Sequence, residues 1–205
     1  MVSALGTLRC VAGYDDRTAL LVVDVQNDFA DPRGTLSVRG GHEIMPVVNA
    51  EIARARAGGA TIVYTQDWHP PHTPHFAQDG GIWPVHCVQD TWGAEFHPGL
   101  DVEDGKIVRK GADGRDGYSG FSVRDPESGD VDDTVLHEIL QASGADRLVI
   151  CGLATDYCVV ETVLDARIRG YPVDVLVEGA RAVDLEPGDG ERAIARMRDA
   201  GAELV

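Results

Sequence analysis

Residues 19–25 read ALLVVDV, five apolar side chains in succession followed by Asp24 and one more valine. An apolar run of this length indicates a strand that is buried on both faces, as in parallel sheets. Similar runs recur at residues 61–65, 106–109, 147–152, 173–177 and 202–205. Helix-like patterns separate them, at residues 43–57, 132–142, 156–169 and 189–199. The alternation predicts an α/β fold, a three-layer αβα sandwich with a mostly parallel sheet of about six strands.

Two segments are longer than the usual connections of such a fold. Residues 67–105 are rich in proline, histidine, glycine and tryptophan, and residues 111–130 are rich in glycine, aspartate and serine. Long ordered loops within a compact domain usually carry function. Because strands continue beyond both segments, we expect one domain over residues 1–205, with residues 1–16 as a loose N-terminal extension.

The charge of the chain argues against two classes of partner. The sequence has 34 acidic and 18 basic residues, a formal net charge of -16, and no basic stripe. Binding to nucleic acid or to an anionic membrane surface needs clustered lysine and arginine. We therefore expect neither partner, and a neutral small molecule is weakly favoured over a strongly anionic one.

The cysteines and the N-terminus predict a cytoplasmic protein. The four cysteines are far apart and form no Cys-x-x-Cys pair, which suits reduced thiols in a reducing compartment. No basic start precedes an apolar run, and Asp24 interrupts the first apolar segment before it could serve as a signal or a membrane span. The oligomeric state stays open between a monomer and a homo-oligomer.

Two charged residues stand where apolar runs stop. Asp24 ends the first predicted strand, and Lys110 closes the third. The carboxyl ends of parallel strands are where open α/β sheets bind ligands. Taken alone, either residue is better explained as a cap or a solvated strand end.

Cys158 is a third candidate residue, and its chemistry is the reason to consider Asp24 and Lys110 as parts of an active site. It follows the apolar run at residues 147–152 after a sharp turn, where Thr155 or Asp156 can cap the next helix. Free N–H groups and the helix dipole favour a thiolate there, and the same N–H groups can bind an oxyanion. Cys158 is therefore our candidate nucleophile. Small buried apolar side chains are the interpretation for the other three cysteines, Cys10, Cys87 and Cys151.

Residues 67–105 also form a candidate metal-binding loop region. Asp67 and His69 are two apart in a segment that Pro70 biases toward extended backbone, so their side chains project to one side. His86 would complete a three-ligand set that suits zinc, iron(II) or manganese, one ion per chain. His75 is either a fourth ligand or a residue that orients metal-bound water. Solvation is the interpretation for the remaining histidines, His42, His72, His97 and His137.

Several aromatic residues near these groups could line a pocket for a flat ring. Core packing is the default explanation for any one of them. Trp83 is the best candidate because it precedes His86 by three residues. The candidate wall residues are Phe29, Trp68, Trp83 and Tyr118.

At this point the chain resembles the nicotinamidase/pyrazinamidase family within the isochorismatase-like cysteine hydrolases, from about residue 19 to 182. The resemblance rests on the number and order of its motifs. These are DVQNDF at 24–29, DWH at 67–69, WPVHC at 83–87, GAEFHP at 93–98, KG at 110–111, YSGF at 118–121 and GLATDYC at 152–158.

The resemblance implies particular roles for these residues. It implies a catalytic triad of Asp24, Lys110 and Cys158, a metal held by Asp67, His69 and His86, and a cis peptide between Leu153 and Ala154. The N–H groups of Ala154 and Cys158 are expected to form an oxyanion hole, and Phe29, Trp83, Tyr118 and Ala154 to contact the substrate.

The activity implied is hydrolysis of nicotinamide to nicotinate and ammonia, and of pyrazinamide to pyrazinoate. The expected route is a thioester on Cys158, with the metal on the pyridine nitrogen of the substrate. Salvage of NAD is the physiological role that the resemblance suggests.

Three alternatives remain at the level of sequence. One is a related cysteine hydrolase acting on isochorismate or an N-carbamoyl compound, against which the Asp67, His69 and His86 set argues. Another is a metallohydrolase in which metal-bound water attacks and Cys158 is structural. The last is a catalytically silent binding homologue, because a fold alone never proves activity.

Overall fold

Six parallel strands form the centre of the structure, a computed structural model in which residues 11–205 are described. In chain order the elements are β1 (Thr18–Val23), α1 (Asn27–Ala30), α2 (Met45–Ala57), β2 (Thr61–Asp67), β3 (Lys106–Lys110), β4 (Ser122–Arg124), β5 (Val131–Asp133), α3 (Leu136–Ser143), β6 (Arg147–Leu153), α4 (Val160–Ile168), β7 (Val173–Arg181), α5 (Asp189–Asp199) and β8 (Glu203–Leu204). Single 3-10 turns lie at Gly41–Ile44, Ala77–Asp79 and Trp92–Ala94, and a π-helical turn lies at Thr155–Val159.

The order of the strands in the sheet is β3-β2-β1-β6-β7-β8. The chain moves outward from β1 through β2 to β3 and then returns to the other side of β1 with β6. This reversal creates a crevice between the carboxyl ends of β1 and β6, the usual place for a ligand in open α/β sheets. The strands β4 and β5 form a separate antiparallel hairpin.

Alternate side chains of β1 pack into cores on opposite faces of the sheet. Leu20 and Val22 belong to the cluster that also contains residues of α2. Leu21 and Val23 belong to the cluster that contains residues of α3, α4 and α5. Helices on both faces of one sheet give three layers. The predicted αβα sandwich with a mostly parallel six-stranded sheet is therefore confirmed.

One predicted helix begins too early. Residues 132–133 were assigned to the helix 132–142, but they belong to β5, and α3 starts at Leu136. Val131 and Asp133 pair with β4, and the N–H of Thr134 donates to the carbonyl of Phe121 (2.8 Å). Pairing with a partner 9 to 11 residues earlier in the chain overrides the local helical pattern.

Smaller differences occur at other predicted ends. The segment assigned to a helix from residue 43 starts with a 3-10 turn, and α2 begins at Met45, with a proline in its first turn. The last strand, predicted at 202–205, is reduced to Glu203–Leu204. The helix predicted from residue 156 starts with the π-helical turn Thr155–Val159 before α4.

The first ten residues, which include Cys10, lie outside the described residues. In the rest of the predicted extension 1–16, Val11 is buried, and the hydroxyl of Tyr14 donates a hydrogen bond to Glu51 of α2 (2.8 Å). Residues 11–16 are thus held against α2. Within residues 11–205, no helix combines the length and apolar character needed to cross a membrane.

Candidate active site and metal centre

Three of the predicted site residues lie at the carboxyl edge of neighbouring strands. Asp24 follows β1, Asp67 is the last residue of β2, and Lys110 is the last residue of β3. The register of the sheet pairs Asp67 with Lys110 directly. Cys158 reaches the same edge from the π-helical turn after β6. Residues far apart in sequence are therefore brought into one cluster by the strand order.

Asp24 is completely buried and held in a fixed orientation. Its backbone φ of 49° lies in the left-handed region, which non-glycine residues adopt rarely. The hydroxyl of Thr65 donates to Asp24 Oδ1 (2.6 Å) and accepts from the Asp24 N–H (3.2 Å). Burial raises the pKa of Asp24 above its usual range, although the charge of Lys110 opposes that rise. A carboxylate with a raised pKa is a better base toward a thiol.

Lys110 connects the groups at this edge. Its buried Nζ lies 2.8 Å from Asp24 Oδ2, contacts Asp67 Oδ1, and donates to the carbonyl of Gly117 (2.8 Å). The same Nζ lies 3.4 Å from the Sγ of Cys158. Burial alone would lower the pKa of Lys110, but Asp24 and Asp67 outweigh it and raise that pKa well above its usual value. Lys110 therefore carries its positive charge inside the protein.

Cys158 differs from the thiolate expected at a helix start. Burial raises the pKa of Cys158 well above its ordinary value, Lys110 lowers it, and the carboxylates of Asp24 and Asp67 raise it further. With its pKa raised, Cys158 is a thiol beside the buried carboxylate of Asp24.

The turn before Cys158 has the backbone features that the resemblance implied. The peptide between Leu153 and Ala154 is cis. The carbonyl of Ala154 accepts hydrogen bonds from the N–H groups of Tyr157 (3.1 Å) and Val159 (3.0 Å). These bonds fix the turn that carries Ala154 and Cys158.

Three buried imidazoles form a second cluster beside the first. One ring nitrogen from each of His69, His75 and His86 lies within 4.8 Å of the other two. The Nδ1 of His86 donates to the carbonyl of Pro84 (2.8 Å), so its Nε2 is directed into the cluster. Burial lowers the pKa of His86 to about 4, which keeps this ring neutral and its nitrogen lone pair available.

Asp67 lies between this cluster and Lys110. Its Oδ2 is 3.7 Å from the Nε2 of His69 and 3.9 Å from the Nε2 of His86, while its Oδ1 faces Lys110. Burial alone would raise the pKa of Asp67, but Lys110 and His69 together hold it well below its usual range. Asp67 is therefore an ionised carboxylate facing two imidazoles.

These residues fit a divalent metal ion. Both ring nitrogens of His69 are buried, and neither has a hydrogen-bond partner among residues 11–205; such groups are rare in folded proteins unless something binds them. One carboxylate oxygen and two or three imidazole nitrogens form a donor set suited to zinc, iron(II) or manganese. Asp67, His69, His75 and His86 would hold the ion.

A pocket lies between the two clusters. Of the predicted wall residues, Phe29, Trp83 and Tyr118 line it, and the indole N–H of Trp83 donates to the hydroxyl of Tyr118 (2.8 Å). Trp68 is outside the wall, since it packs against the core and the guanidinium of Arg109 lies 3.8 Å from its ring centre. The pocket also contacts Asp67, His75, His86, Ala154 and Cys158.

Sequence reasoning missed four lining residues. They are Leu36, Val38, Tyr157 and Val183. The ring of Tyr157 meets that of Trp83 edge to face, with 4.9 Å between centres. Its place next to Cys158 in the sequence was the one available signal. The three aliphatic residues lie singly in loops, where nothing in the pattern separates a pocket wall from ordinary packing.

Of the other cysteines and histidines, Cys87, Cys151, His42 and His72 follow the interpretations from sequence, whereas His97 and His137 are half-buried and hydrogen-bonded rather than solvated. Cys87 and Cys151 are buried free thiols, and burial raises the pKa of each. His72 is exposed and pairs with Asp79. The side chains of His42, His97 and His137 do not line the pocket.

Comparisons with known proteins agree with this fold. Residues 18–205 match the isochorismatase domain family. The nicotinamidase of Escherichia coli (strain K12) is 37% identical, with 91% of this chain and 93% of that protein covered. The pyrazinamidase of Pyrococcus horikoshii in complex with zinc is 42% identical, covers 92% of this chain and 98% of its own, and superposes with a TM-score of 0.82. PnC1 from L. infantum in complex with nicotinate is 35% identical, with 95% of each chain covered and a TM-score of 0.85.

The chain therefore belongs to the isochorismatase domain family, and within it to the nicotinamidase/pyrazinamidase branch.

Proposed function

We propose that this protein is a nicotinamidase, an amidase that hydrolyses nicotinamide to nicotinate and ammonia, and pyrazinamide to pyrazinoate. The observation that carries the proposal is the position of Lys110 Nζ, 2.8 Å from Asp24 and 3.4 Å from the thiol of Cys158, which itself lines an aromatic pocket. The relatives named nicotinamidase and the neighbour with bound nicotinate support the same substrate class.

The first half-reaction forms a thioester. Asp24 takes the proton of Cys158, and the sulfur attacks the carboxamide carbon of the substrate. The N–H groups of Ala154 and Cys158 donate to the oxyanion of the tetrahedral intermediate. Asp24 then returns the proton to the amide nitrogen, the C–N bond breaks, and ammonia leaves. Lys110 stabilises the thiolate and keeps Asp24 ionised between these transfers.

The second half-reaction releases the acid. Asp24 accepts a proton from water as the water oxygen attacks the thioester carbon, and the C–S bond breaks. The proton then passes from Asp24 to the departing sulfur, which restores the Cys158 thiol. Each proton that Asp24 accepts is thus returned within the same half-reaction.

The walls of the pocket orient the substrate. Phe29, Trp83 and Tyr118 contact a flat ring and exclude water from the reacting carbon. Asp67, His69, His75 and His86 would hold the metal at the far end of the pocket. A bound divalent ion there would supply a Lewis-acid partner for the pyridine nitrogen. We place the enzyme in the cytoplasm, with NAD salvage as its role.

The test is release of nicotinate and ammonia from nicotinamide by freshly reduced, metal-loaded protein. The variant Cys158→Ala should lower kcat by roughly 10⁴-fold or more, as removal of a nucleophile does in related mechanisms. Cys151→Ala is the matched control, because it removes a buried thiol from β6 without touching Lys110, and it should stay within a few-fold of wild type.

The alternatives predict other results. A metallohydrolase would keep its activity in the Cys158→Ala variant and after alkylation of the thiol. A silent binding homologue would bind nicotinamide without turnover in every metal-loaded sample. Either result would overturn the proposal.

A further inference from the structure

Asp116 stands next to His75 and has no role in the reaction described above. The Oδ1 of Asp116 lies 2.8 Å from the Nδ1 of His75. That oxygen is buried, and among residues 11–205 that the structure describes it accepts no hydrogen bond of normal geometry, the short contact with His75 included. A buried carboxylate oxygen is costly to leave without a donor, so the His75 N–H is its natural partner.

The contact decides which nitrogen of His75 is free. With Nδ1–H facing Asp116, the lone pair is on Nε2, and the ring is stacked on His69 with 4.8 Å between centres. His86 has the same arrangement, since its Nδ1 faces the carbonyl of Pro84. Histidines that bind metals commonly donate their second N–H to a carboxylate or a carbonyl, which fixes both the tautomer and the ring.

We propose that Asp116 is a positioning residue, which holds His75 through Nδ1 and keeps Nε2 of His75 directed at the metal site proposed above. The inference rests on the metal site of the proposed function and on no step of the hydrolysis. The carboxylate would also place one more negative charge near a bound divalent cation.

The backbone around Asp116 is held independently of its side chain. The N–H of Asp116 donates to the carbonyl of Arg124 (2.7 Å), and the N–H of Arg124 donates back (2.6 Å). The hydroxyl of Thr73 donates to the carbonyl of Gly114 (3.0 Å), which joins the His75 loop to the Asp116 loop. Removal of the carboxylate should therefore leave both loops in place and change the His75 ring alone.

The experiment measures the affinity of the full-length, metal-stripped protein for Zn²⁺ by competition with a chromophoric chelator. Asp116→Ala should weaken Zn²⁺ binding by about 10- to 100-fold, the usual effect of losing such a partner. Asp113→Ala is the matched control in the same loop, because this exposed carboxylate pairs with Arg115, and its affinity should equal that of wild type.

The variant His75→Ala supplies the decisive comparison. If Asp116 acts through His75, adding Asp116→Ala to His75→Ala should weaken Zn²⁺ binding no further. The visible spectrum of bound Co²⁺ should also change in the same direction in the two single variants. Should Asp116→Ala fail to fold, Asp116→Asn keeps the shape and an acceptor oxygen, and we expect a several-fold loss of affinity from it.

Unchanged Zn²⁺ affinity in the folded Asp116 variant, or an equal further loss in the His75→Ala background, would overturn the inference. Both results leave the proposed activity intact. Failure of the wild-type protein to bind Zn²⁺ at all would instead contradict the metal site itself.

Discussion

Asp24 has opposing effects on Cys158 that single-residue substitution can separate. As the proposed base it would remove the thiol proton, yet its negative charge raises the pKa of that thiol. Lys110 acts in the opposite direction because its cation lowers the same pKa. The reactivity of Cys158 without substrate therefore reflects the balance between these two buried charges.

We predict that Asp24→Asn abolishes amide hydrolysis but accelerates alkylation of Cys158 at neutral pH in metal-stripped protein. The substitution removes an anion and leaves Lys110, so the thiol titrates at lower pH and more thiolate is present. A fall of one pKa unit means about tenfold more thiolate below the pKa. The measurement is the rate of iodoacetamide labelling of Cys158 as a function of pH, with mass-spectrometric assignment of the site.

Asp113→Asn is the control for this experiment, because it removes a carboxylate that is paired on the surface. Its labelling profile should match that of wild type. Slower labelling in Asp24→Asn than in wild type would contradict the prediction and show that Asp24 already removes the thiol proton in the free enzyme.

At the scale of the elements, the close approach of β1 and β6 determines where the crevice opens. Gly152 has a φ of 120°, and a Cβ at this position would collide with the backbone of Val23. Glycine is the residue that permits both the backbone angle and the contact. The last residues of β6 can therefore turn toward Cys158 while staying paired with β1.

Gly152→Ala should lower the free energy of unfolding by about 3 kcal/mol or more, because strain and overpacking act together. Urea denaturation followed by circular dichroism would measure the change. Gly144→Ala is the matched control, since Gly144 also has a positive φ but open space around its Cβ, and about 1 kcal/mol is expected. Equal losses of unfolding free energy in Gly152→Ala and Gly144→Ala would contradict the prediction, because they would show that the contact with Val23 adds nothing to the cost.

The elements differ in how far the sequence predicts them. β1, β2, β6 and β7 are recognisable because strands buried on both faces need continuous apolar runs. β5 is not, since its residues are exposed and it forms only by pairing with β4. The helix predicted from residue 156 begins within one residue of the π-helical turn Thr155–Val159, but the local pattern does not indicate that this turn precedes α4.

The candidate site was also only partly predictable from the sequence. Asp24, Lys110 and Cys158 were identifiable because each stands at the end of an apolar run or at a helix start. The sequence did not show the balance of charges around Cys158. The burial of these groups and the short distance to Asp67 arise from the register of β2 and β3. Asp116 was overlooked for the same reason, since it meets His75 only once the two long loops are folded together.

At the scale of the whole molecule, we expect metal binding to raise the free energy of unfolding and the Tm. A ligand that binds the folded state alone stabilises it by about 2.7 kcal/mol at one hundred times its Kd. In a protein of this size, 1 kcal/mol shifts Tm by about 2–4 °C, so saturating Zn²⁺ should raise Tm by roughly 5–10 °C. Differential scanning calorimetry with and without Zn²⁺ measures this shift.

His69→Ala should remove most of the rise in Tm that Zn²⁺ causes. The control is His72→Ala, because His72 is exposed and lies outside the cluster, and it should keep the shift of wild type. A Tm that does not respond to Zn²⁺ in wild-type protein would contradict the metal centre.

The distribution of the site over four strands has a consequence for synthesis and breakdown of the chain. The proposed metal ligands and both buried charged partners lie in the first 110 residues, whereas the thiol comes 48 residues later, after β6. A chain that ends between residues 110 and 158 contains all the proposed metal ligands but lacks the candidate nucleophile Cys158. Turnover therefore requires that β6 has been synthesised and paired with β1. For this reason the specific activity of a preparation measures the fraction of complete, correctly folded molecules.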